Sequence, residues 1–307
     1  MPLFPMSRLL RHARAHKYAV GYFEAWNLES ILAVKDAAEE ADSPVILGFN
    51  GGFLGNGRRR VAEDIFHYGA LGTAIAERAR VPAALILNEA ARVPLLLQAL
   101  EAGFNVIMHD HQECSPEESA VINQDLVRAA HAAGAEVEAE IGELPAHDLG
   151  TGRETPGEKT DPEAAAAFVR RTGVDALAVA VGNVHMLEGR KAPLDLDLIR
   201  TLSRRIEVPL VLHGGTGIEP AALAEAIRLG ISKINVGTVL RRAFLLALES
   251  YFRTHEAARV DPSEGTSTGG EQDLLAGARR AVTVEVLRLM SLFGSAGMAS
   301  RFSKEES

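Results

Sequence analysis

Two strand-like runs near the C-terminal end of the chain finish in residues suited to binding a phosphate group. They read Pro209-Leu-Val-Leu-His-Gly-Gly-Thr-Gly217 and Lys233-Ile-Asn-Val-Gly-Thr238. A glycine-rich turn lets backbone N–H groups approach an anion, and a helix beginning at Thr238 would add the positive end of its dipole. The pattern predicts a phosphate site beside the imidazole of His213.

Polar and ionisable side chains also follow the other apolar runs of the chain. In sequence order these residues are Glu24, Asn50, Asn88 with Glu89, Asp110, Glu140, His185, His213, Asn235 and Thr238. Two imidazoles combined with carboxylates form a credible site for a divalent metal. The fold must bring these residues to one place for that chemistry to be possible.

The apolar runs alternate with helical patterns along the whole chain. The runs cover residues 19–23, 44–49, 83–88, 106–110, 136–142, 176–182, 209–214 and 233–236. Eight strands that alternate with helices predict an α/β fold, the (β/α)8 TIM barrel, as a single domain over residues 1–307. A doubly wound open sheet is the alternative. In a barrel, the strand-end residues would meet at the C-terminal mouth, where active sites are built.

The last part of the chain adds two further expectations. Residues 260–272 hold few apolar side chains, so we expect a mobile loop there. Residues 274–294 have helical apolar spacing and predict an extra C-terminal helix, which would close the bottom of the barrel or contact a partner subunit.

Composition excludes several classes of function. The net charge of -9 argues against binding to nucleic acid or to an anionic membrane surface. The single cysteine, Cys114, rules out an internal disulfide and suits a reducing compartment. Because no apolar run approaches the roughly 18 residues of a membrane span, we expect a cytoplasmic protein.

Several segments together resemble the class II fructose-bisphosphate and tagatose-bisphosphate aldolase family. They are Val81-Pro-Ala-Ala-Leu85, Val137-Glu-Ala-Glu-Ile-Gly142, Thr160-Asp-Pro162, Thr172-Gly-Val-Asp-Ala-Leu-Ala-Val-Ala180, His213-Gly-Gly-Thr-Gly217 and Lys233-Ile-Asn-Val236. The resemblance covers most of the chain in the right order. It implies a TIM barrel and a zinc-dependent cleavage of ketose phosphates.

The resemblance also implies roles for individual residues. His185 and His213 match two of the three metal-binding histidines, and Glu140 matches an acidic position near the metal. Asp110 matches another acidic position, with a one-residue ambiguity against His109. The implied substrate and phosphate positions are Gly214, Gly215, Thr216, Asn235, Gly237 and Thr238, although the family has aspartate or alanine at the position of Gly237.

The chain departs from the family pattern at the end of the third strand. Where the family reads His-Leu-Asp-His-Gly, this chain reads Ile86-Leu-Asn-Glu-Ala90. Asn88 therefore replaces the proton-transferring aspartate, and Glu89 replaces the third metal-binding histidine. An amide cannot act as a general acid or base, so the family mechanism cannot run unchanged.

Three functional hypotheses follow. The first is a metal-dependent lyase acting on a phosphorylated ketose, with Glu89, His185, His213 and Glu140 around the metal. The metal would be zinc by resemblance, while a carboxylate ligand makes manganese or magnesium possible. Asp110 or Glu24 would then move the proton, or Glu89 would itself be the base. The second is a ketose-phosphate epimerase or isomerase, and the third is a non-catalytic phosphosugar-binding protein.

Each of these residues also has a purely structural interpretation. His185 and His213 would then be buried histidines without a metal, and Glu89 a replacement in an inactive site. Homo-oligomers are common in the family, so the resemblance implies a homo-oligomer with a phosphorylated sugar as substrate.

Overall fold

Eight parallel strands close into a barrel in which each strand pairs with the next and β8 pairs with β1. The computed structural model describes residues 3–57, 59–112, 114–142, 157–183, 193–215 and 217–305. The strands are β1 (Val20–Phe23), β2 (Val45–Asn50), β3 (Ala83–Ala90), β4 (Val106–His109), β5 (Glu136–Ile141), β6 (Ala176–Val179), β7 (Leu210–Leu212) and β8 (Ile231–Val236). The predicted (β/α)8 barrel is confirmed, and the open sheet is excluded.

Helices cover the outside of the barrel and extend beyond it at the C-terminal end. They are α1 (Met6–His16), α2 (Leu28–Glu40), α3 (Gly51–Leu54), α4 (Ile65–Glu77), α5 (Val93–Glu101), α6 (Pro116–Ala132), α7 (Pro162–Thr172), α8 (Leu196–Arg205), α9 (Pro220–Leu229), α10 (Thr238–Thr254), α11 (Pro262–Thr266), α12 (Leu274–Leu292) and α13 (Met298–Glu305). Local sequence sets several helix starts. Asn27 and Ser115 form capping boxes, for example, and Asp161 caps α7 just before a proline.

Alternate residues of each strand face the barrel interior. Tyr22, Ile46, Ile86, Met108 and Val211 belong to one buried cluster that fills the interior. Their neighbours in sequence, such as Leu47, Leu85 and Leu212, belong to a second cluster between strands and helices. The period of two residues that governs side-chain direction in a strand therefore sorts the core into two layers.

Helices α1 and α13 close the bottom of the barrel. The N–H of Phe4, just before α1, donates to the carbonyl of Ala83 at the start of β3 (2.9 Å). Leu9 and Leu10 of α1 and Phe302 of α13 are fully buried against the interior cluster. Because the bottom is filled with apolar side chains, the opposite mouth is the end open to chemistry.

The C-terminal segment differs in part from its expected structure. Helix α12 lies along the outside of the barrel against α2 and α10, with Phe293 stacked on Phe23, and does not close the bottom. The segment 260–272, predicted as a loop, contains the short helix α11, because Asp261 accepts hydrogen bonds from the N–H groups of Ser263 and Glu264. The mobility of this segment stays a prediction.

Among the described residues, no helix is both long and apolar enough to cross a membrane.

Two helical glycines provide a paired test of this packing. A Cβ on Gly69 of α4 would lie 2.2 Å from the carbonyl oxygen of Ala102, whereas a Cβ on Gly277 of α12 would meet no atom within 4 Å. We expect Gly69→Ala to lower the free energy of unfolding by about 1–2 kcal/mol despite the gain in helix propensity. Gly277→Ala should raise it by about 0.5–1 kcal/mol. Urea denaturation followed by circular dichroism measures both, and equal effects of the two changes would contradict the packing described.

Candidate active site

The fully buried imidazole of His213 lies at the centre of the barrel mouth, immediately after β7. Its Nδ1 is 3.4 Å from Oε1 of Glu89 and 3.6 Å from Oε1 of Glu140. On the other side of the ring, Nε2 is 3.1 Å from Oε1 of Glu138. Three carboxylates from two different strands therefore surround one imidazole.

Glu138 sets which nitrogen of His213 carries a proton. Its second oxygen, Oε2, accepts a hydrogen bond from Nζ of Lys233 at 2.6 Å, and both side chains are fully buried. Burial opposes the carboxylate charge, but Lys233 and His213 outweigh burial and lower the pKa of Glu138. An ionised Glu138 has no proton to donate, so Nε2–H of His213 donates to it. Nδ1 is then the ring atom that faces Glu89 and Glu140 in the mouth, and it offers a lone pair to a metal when the ring is neutral.

The local field at His213 is negative. Burial lowers the pKa of the imidazole, but Glu140, Glu138 and Glu89 outweigh burial, and the pKa of His213 is raised. Carboxylates that favour a proton on a buried ring favour a metal cation there for the same electrostatic reason.

An irregularity in β3 brings Glu89 into the mouth. The strand carries one more residue than β4 between two paired positions, since Leu87 pairs with Ile107 and Ala90 pairs with His109. Glu89 has a φ of 52°, in the left-handed region that non-glycine residues rarely occupy. Regular alternation would point its side chain outward, away from Asn88. The bulge instead places both residues at the mouth, and strained backbone of this kind is typical of functional sites.

Asn50 holds two of the carboxylates at the mouth. Its Nδ2 donates to Oε2 of Glu89 at 2.8 Å and is 3.2 Å from Oε2 of Glu24. Glu24 also forms an ion pair with Arg241, whose Nε is 3.0 Å from Oε1. Burial raises the pKa of Glu24, and Arg241 opposes that rise.

Several buried polar atoms around the mouth have no hydrogen-bond partner among the described residues. They include Oδ1 of Asn88, Oε1 of Glu140, and both amide atoms of Asn235. A buried polar atom left without a partner costs about 1–3 kcal/mol. A polar ligand or an ion in the mouth would supply the missing partners.

The described residues of the predicted phosphate site, Gly214, Gly215, Asn235, Gly237 and Thr238, lie beside this cluster at the ends of β7 and β8. The N–H of Gly215 donates to the carbonyl of Asn235 (3.0 Å), which joins the glycine-rich turn to β8. Gly214 has a φ of 64°, a conformation that glycine adopts without strain. Gly237, the N-cap of α10, has no side chain to accept a hydrogen bond, so the N–H groups that precede Leu240 at the start of this helix are left without a side-chain cap.

Two predicted site residues, His185 and Thr216, lie outside the described residues. Asp110 lies in the turn after β4, where its Oδ1 accepts a hydrogen bond from the N–H of Gln112 (3.1 Å), and it is not among the carboxylates that approach His213. The remaining candidates, Glu89, Glu140, His213, Asn88 and Asn235, come together as the barrel geometry predicted.

Sequence reasoning missed three residues that shape the site. Glu138 and Lys233 each lie two residues before a site residue of the same strand, Glu140 and Asn235, so they face the barrel interior as well. This spacing is visible in the sequence. Arg241 lies on α10, and its guanidinium is 4.7 Å from the ring centroids of both Trp26 and Phe53. This stack borders a pocket of about 420 Å³ next to the mouth, and only tertiary structure reveals it.

The donor set at the mouth fits a divalent metal. In a tetrahedral zinc site, bond lengths of about 2.0–2.2 Å place neighbouring ligand atoms about 3.3–3.6 Å apart. The distances from Nδ1 of His213 to Glu89 and Glu140 fall in this range. Among the described residues, however, no three ligand atoms at the mouth lie within 4.8 Å of one another. Either carboxylate can therefore share a metal with His213 as placed, but both together cannot without movement.

The chain is similar to known proteins over most of its length. The family described as fructose-bisphosphate aldolase class-II matches residues 5–298. A fructose-bisphosphate aldolase of Thermus caldophilus is 35% identical over 315 residues, covering 95% of this chain and 98% of that protein. The structure of the YdjI aldolase from Escherichia coli K12 superposes with a TM-score of 0.78 at 32% identity, covering 97% of this chain and 99% of that one.

A putative fructose-1,6-biphosphate aldolase from Coccidioides immitis also superposes with a TM-score of 0.78, at 26% identity, over 95% of this chain and 96% of that one. The chain belongs to the class II fructose-bisphosphate aldolase family. The predicted function, a class II aldolase-like metal-dependent lyase, is confirmed, and the isomerase and binding-protein alternatives are not favoured. The family implies a divalent metal cofactor and phosphorylated sugar substrates.

The buried pair of Glu138 and Lys233 can be tested through stability. Lys233→Met leaves the Glu138 carboxylate buried without its cation, so we expect the free energy of unfolding to fall by about 3–5 kcal/mol. Adding Glu138→Gln removes the stranded charge and should recover part of this loss. Chemical denaturation of the single and double variants measures the effect. A Lys233→Met protein as stable as the original chain would contradict the pairing.

Proposed function

We propose that this chain makes or breaks a carbon–carbon bond of a phosphorylated ketose at the barrel mouth. The observation that carries the proposal is the placement of His213, whose Nδ1 faces Glu89 and Glu140 while Nε2 is held by Glu138. This is the arrangement of a metal-binding histidine whose second nitrogen is oriented by a buried carboxylate.

His213 and Glu140 would hold the divalent metal, with His185 as a further ligand by resemblance to the family. The Oε1 of Glu140 is buried without a hydrogen-bond partner among the described residues, and its side chain is only 8% exposed. When bound, the metal would polarise the ketose carbonyl and stabilise negative charge on its oxygen. We infer zinc from the nitrogen ligands, while the carboxylate also admits manganese or magnesium.

Glu89 would transfer the proton in place of the family's aspartate. Asn88 occupies the aspartate position and cannot exchange a proton. The Glu89 carboxylate is one residue further along, is 25% exposed, and receives a hydrogen bond from Asn50 that orients it. Because Glu89 and Glu140 do not both reach one metal as placed, one carboxylate stays available for proton transfer. The more exposed of the two is better placed to reach a substrate.

The substrate phosphate would bind between the glycine-rich turn and the first turn of α10. The N–H groups at the start of α10, the hydroxyl of Thr238 and the unpartnered amide of Asn235 are the donors that the described residues offer there. Gly214, Gly215 and Gly237 would keep the backbone close to the phosphate, with Thr216 as the hydroxyl of the turn by resemblance. The pocket bordered by Trp26 and Arg241 would receive the far end of the sugar chain.

Replacing Glu89 and Glu140 one at a time by glutamine separates their roles. Glu140→Gln and His213→Ala should each lower the bound metal, measured by elemental analysis, because they remove metal ligands. Glu89→Gln should keep the metal but lower kcat by about 10²–10⁴-fold, because an amide cannot transfer the proton. The assay measures carbonyl fragments released from a panel of ketose phosphates that includes fructose 1,6-bisphosphate and tagatose 1,6-bisphosphate.

Glu117→Gln is the matched control, because Glu117 is an exposed carboxylate that pairs with Arg171 and is not among the carboxylates that approach His213. It should change neither metal content nor turnover. Full turnover in the Glu89→Gln protein would exclude Glu89 as the proton-transfer residue. Loss of metal with Glu89→Gln but not with Glu140→Gln would reverse the two roles.

Two expectations from the sequence stay predictions, namely the homo-oligomer and the cytoplasmic location. Leu245, Leu246 and Phe252 of α10 are each more than half exposed, which supports contact between copies of the chain.

A further inference from the structure

A second group of potential metal ligands lies at the bottom of the barrel, opposite the mouth. His12 and His16 are one turn apart on α1, and Glu305 is at the end of α13. One ring nitrogen of each histidine and one carboxylate oxygen of Glu305 all lie within 4.8 Å of one another. Among the described residues, no other trio of His, Cys, Asp or Glu meets this criterion.

The individual distances converge on one oxygen. Oε2 of Glu305 is 2.9 Å from Nε2 of His16 and 3.4 Å from Nε2 of His12. The two imidazole rings lie side by side with centroids 4.2 Å apart. Two nitrogens and one oxygen form the protein ligand set of several zinc sites, in which water takes the fourth position.

The surroundings orient two of the three ligands, His12 and Glu305. Nδ1 of His12 is 2.9 Å from the hydroxyl of Tyr18. In the tautomer whose Nδ1–H donates to that hydroxyl, Nε2 is the metal-facing atom. The other oxygen of Glu305, Oε1, accepts from Nε of Arg301 at 2.9 Å. Partners of this kind fix the tautomer of a metal-binding histidine and the direction of a carboxylate.

The burial of His12 distinguishes this group from an ordinary surface ion pair. The residue is 9% exposed, and its Nε2 is buried with no hydrogen-bond partner among the described residues. Oε2 of Glu305 is closer to His16 (2.9 Å) than to His12 (3.4 Å), and a metal between the three residues would give the buried Nε2 of His12 a direct partner.

We propose that His12, His16 and Glu305 form a structural site for a divalent transition metal, with Zn²⁺ as the ion that best fits two imidazoles and a carboxylate. The site connects α1 to α13, the two helices that close the bottom of the barrel. It takes no part in the chemistry at the mouth. Its contribution is to the stability of the closed barrel, because an ion that binds only the folded chain shifts the folding equilibrium.

Metal stoichiometry in four forms of the full-length protein tests the site. After chelator treatment and reloading with Zn²⁺, the original chain should hold two ions, and Glu305→Gln and His213→Ala should each hold one. The Glu305→Gln, His213→Ala double variant should hold none. In the His213→Ala background, Zn²⁺ at a hundredfold excess over its Kd should raise Tm by about 5 °C, and Glu305→Gln should remove that shift.

His16→Gln provides a second variant, because His16 is partly exposed and its replacement leaves the core intact. It should reproduce the Glu305→Gln result. His131→Gln is the matched control, since His131 forms a similar contact with Asp175 (3.0 Å) without a second histidine. It should leave both the stoichiometry and the Tm shift unchanged.

The outcomes separate this proposal from the proposed function. One ion in the original chain that is lost with His213→Ala but kept with Glu305→Gln would overturn the bottom site and leave the mouth site standing. One ion that is lost with Glu305→Gln but kept with His213→Ala would support the bottom site and contradict the mouth site.

Discussion

The buried carboxylate of Glu138 is the constraint on which the site depends. It lies inside the barrel, where an uncompensated charge is costly, and it is stabilised by Lys233 on one oxygen and His213 on the other. These contacts require β5, β7 and β8 to be closed around the same interior, so the fold and the charge arrangement depend on each other. Glu138 also fixes the tautomer of His213, which leaves Nδ1 as the atom presented to the mouth.

The departures from the family pattern at β3 amount to a displacement of charge. Where the family has an aspartate followed by a histidine, this chain has Asn88 followed by Glu89, so a carboxylate is kept but moves one residue along the strand. The bulge that gives Glu89 a positive φ turns that carboxylate back into the mouth. Arg241 offsets part of the negative charge that Glu89 and Glu24 bring to the same edge, and the amide of Asn50 donates hydrogen bonds to both carboxylates.

The parts of this structure that the sequence predicts are those set by local rules. Alternation along the strands and the spacing of eight units predict the barrel. The phosphate site at the glycine-rich turn after His213 stays a prediction. The direction of Glu89 depends on the register between β3 and β4, which no single segment contains. The contact of Glu305 with His12 and His16 joins the two ends of the chain, so neither helix predicts it alone. The inward direction of Glu138 and Lys233, by contrast, follows from the alternation of side chains along β5 and β8, so the sequence contains it.

The central claim is that Nδ1 of His213 is a metal ligand at the mouth, and anomalous diffraction from crystals loaded with Zn²⁺ tests it most directly. The account predicts an anomalous peak about 2.0–2.1 Å from Nδ1 of His213, with an oxygen of Glu140 in the same coordination shell. Crystals that show anomalous zinc peaks at other positions, but none at the barrel mouth, would contradict it. So would a peak at the mouth that is bound without His213.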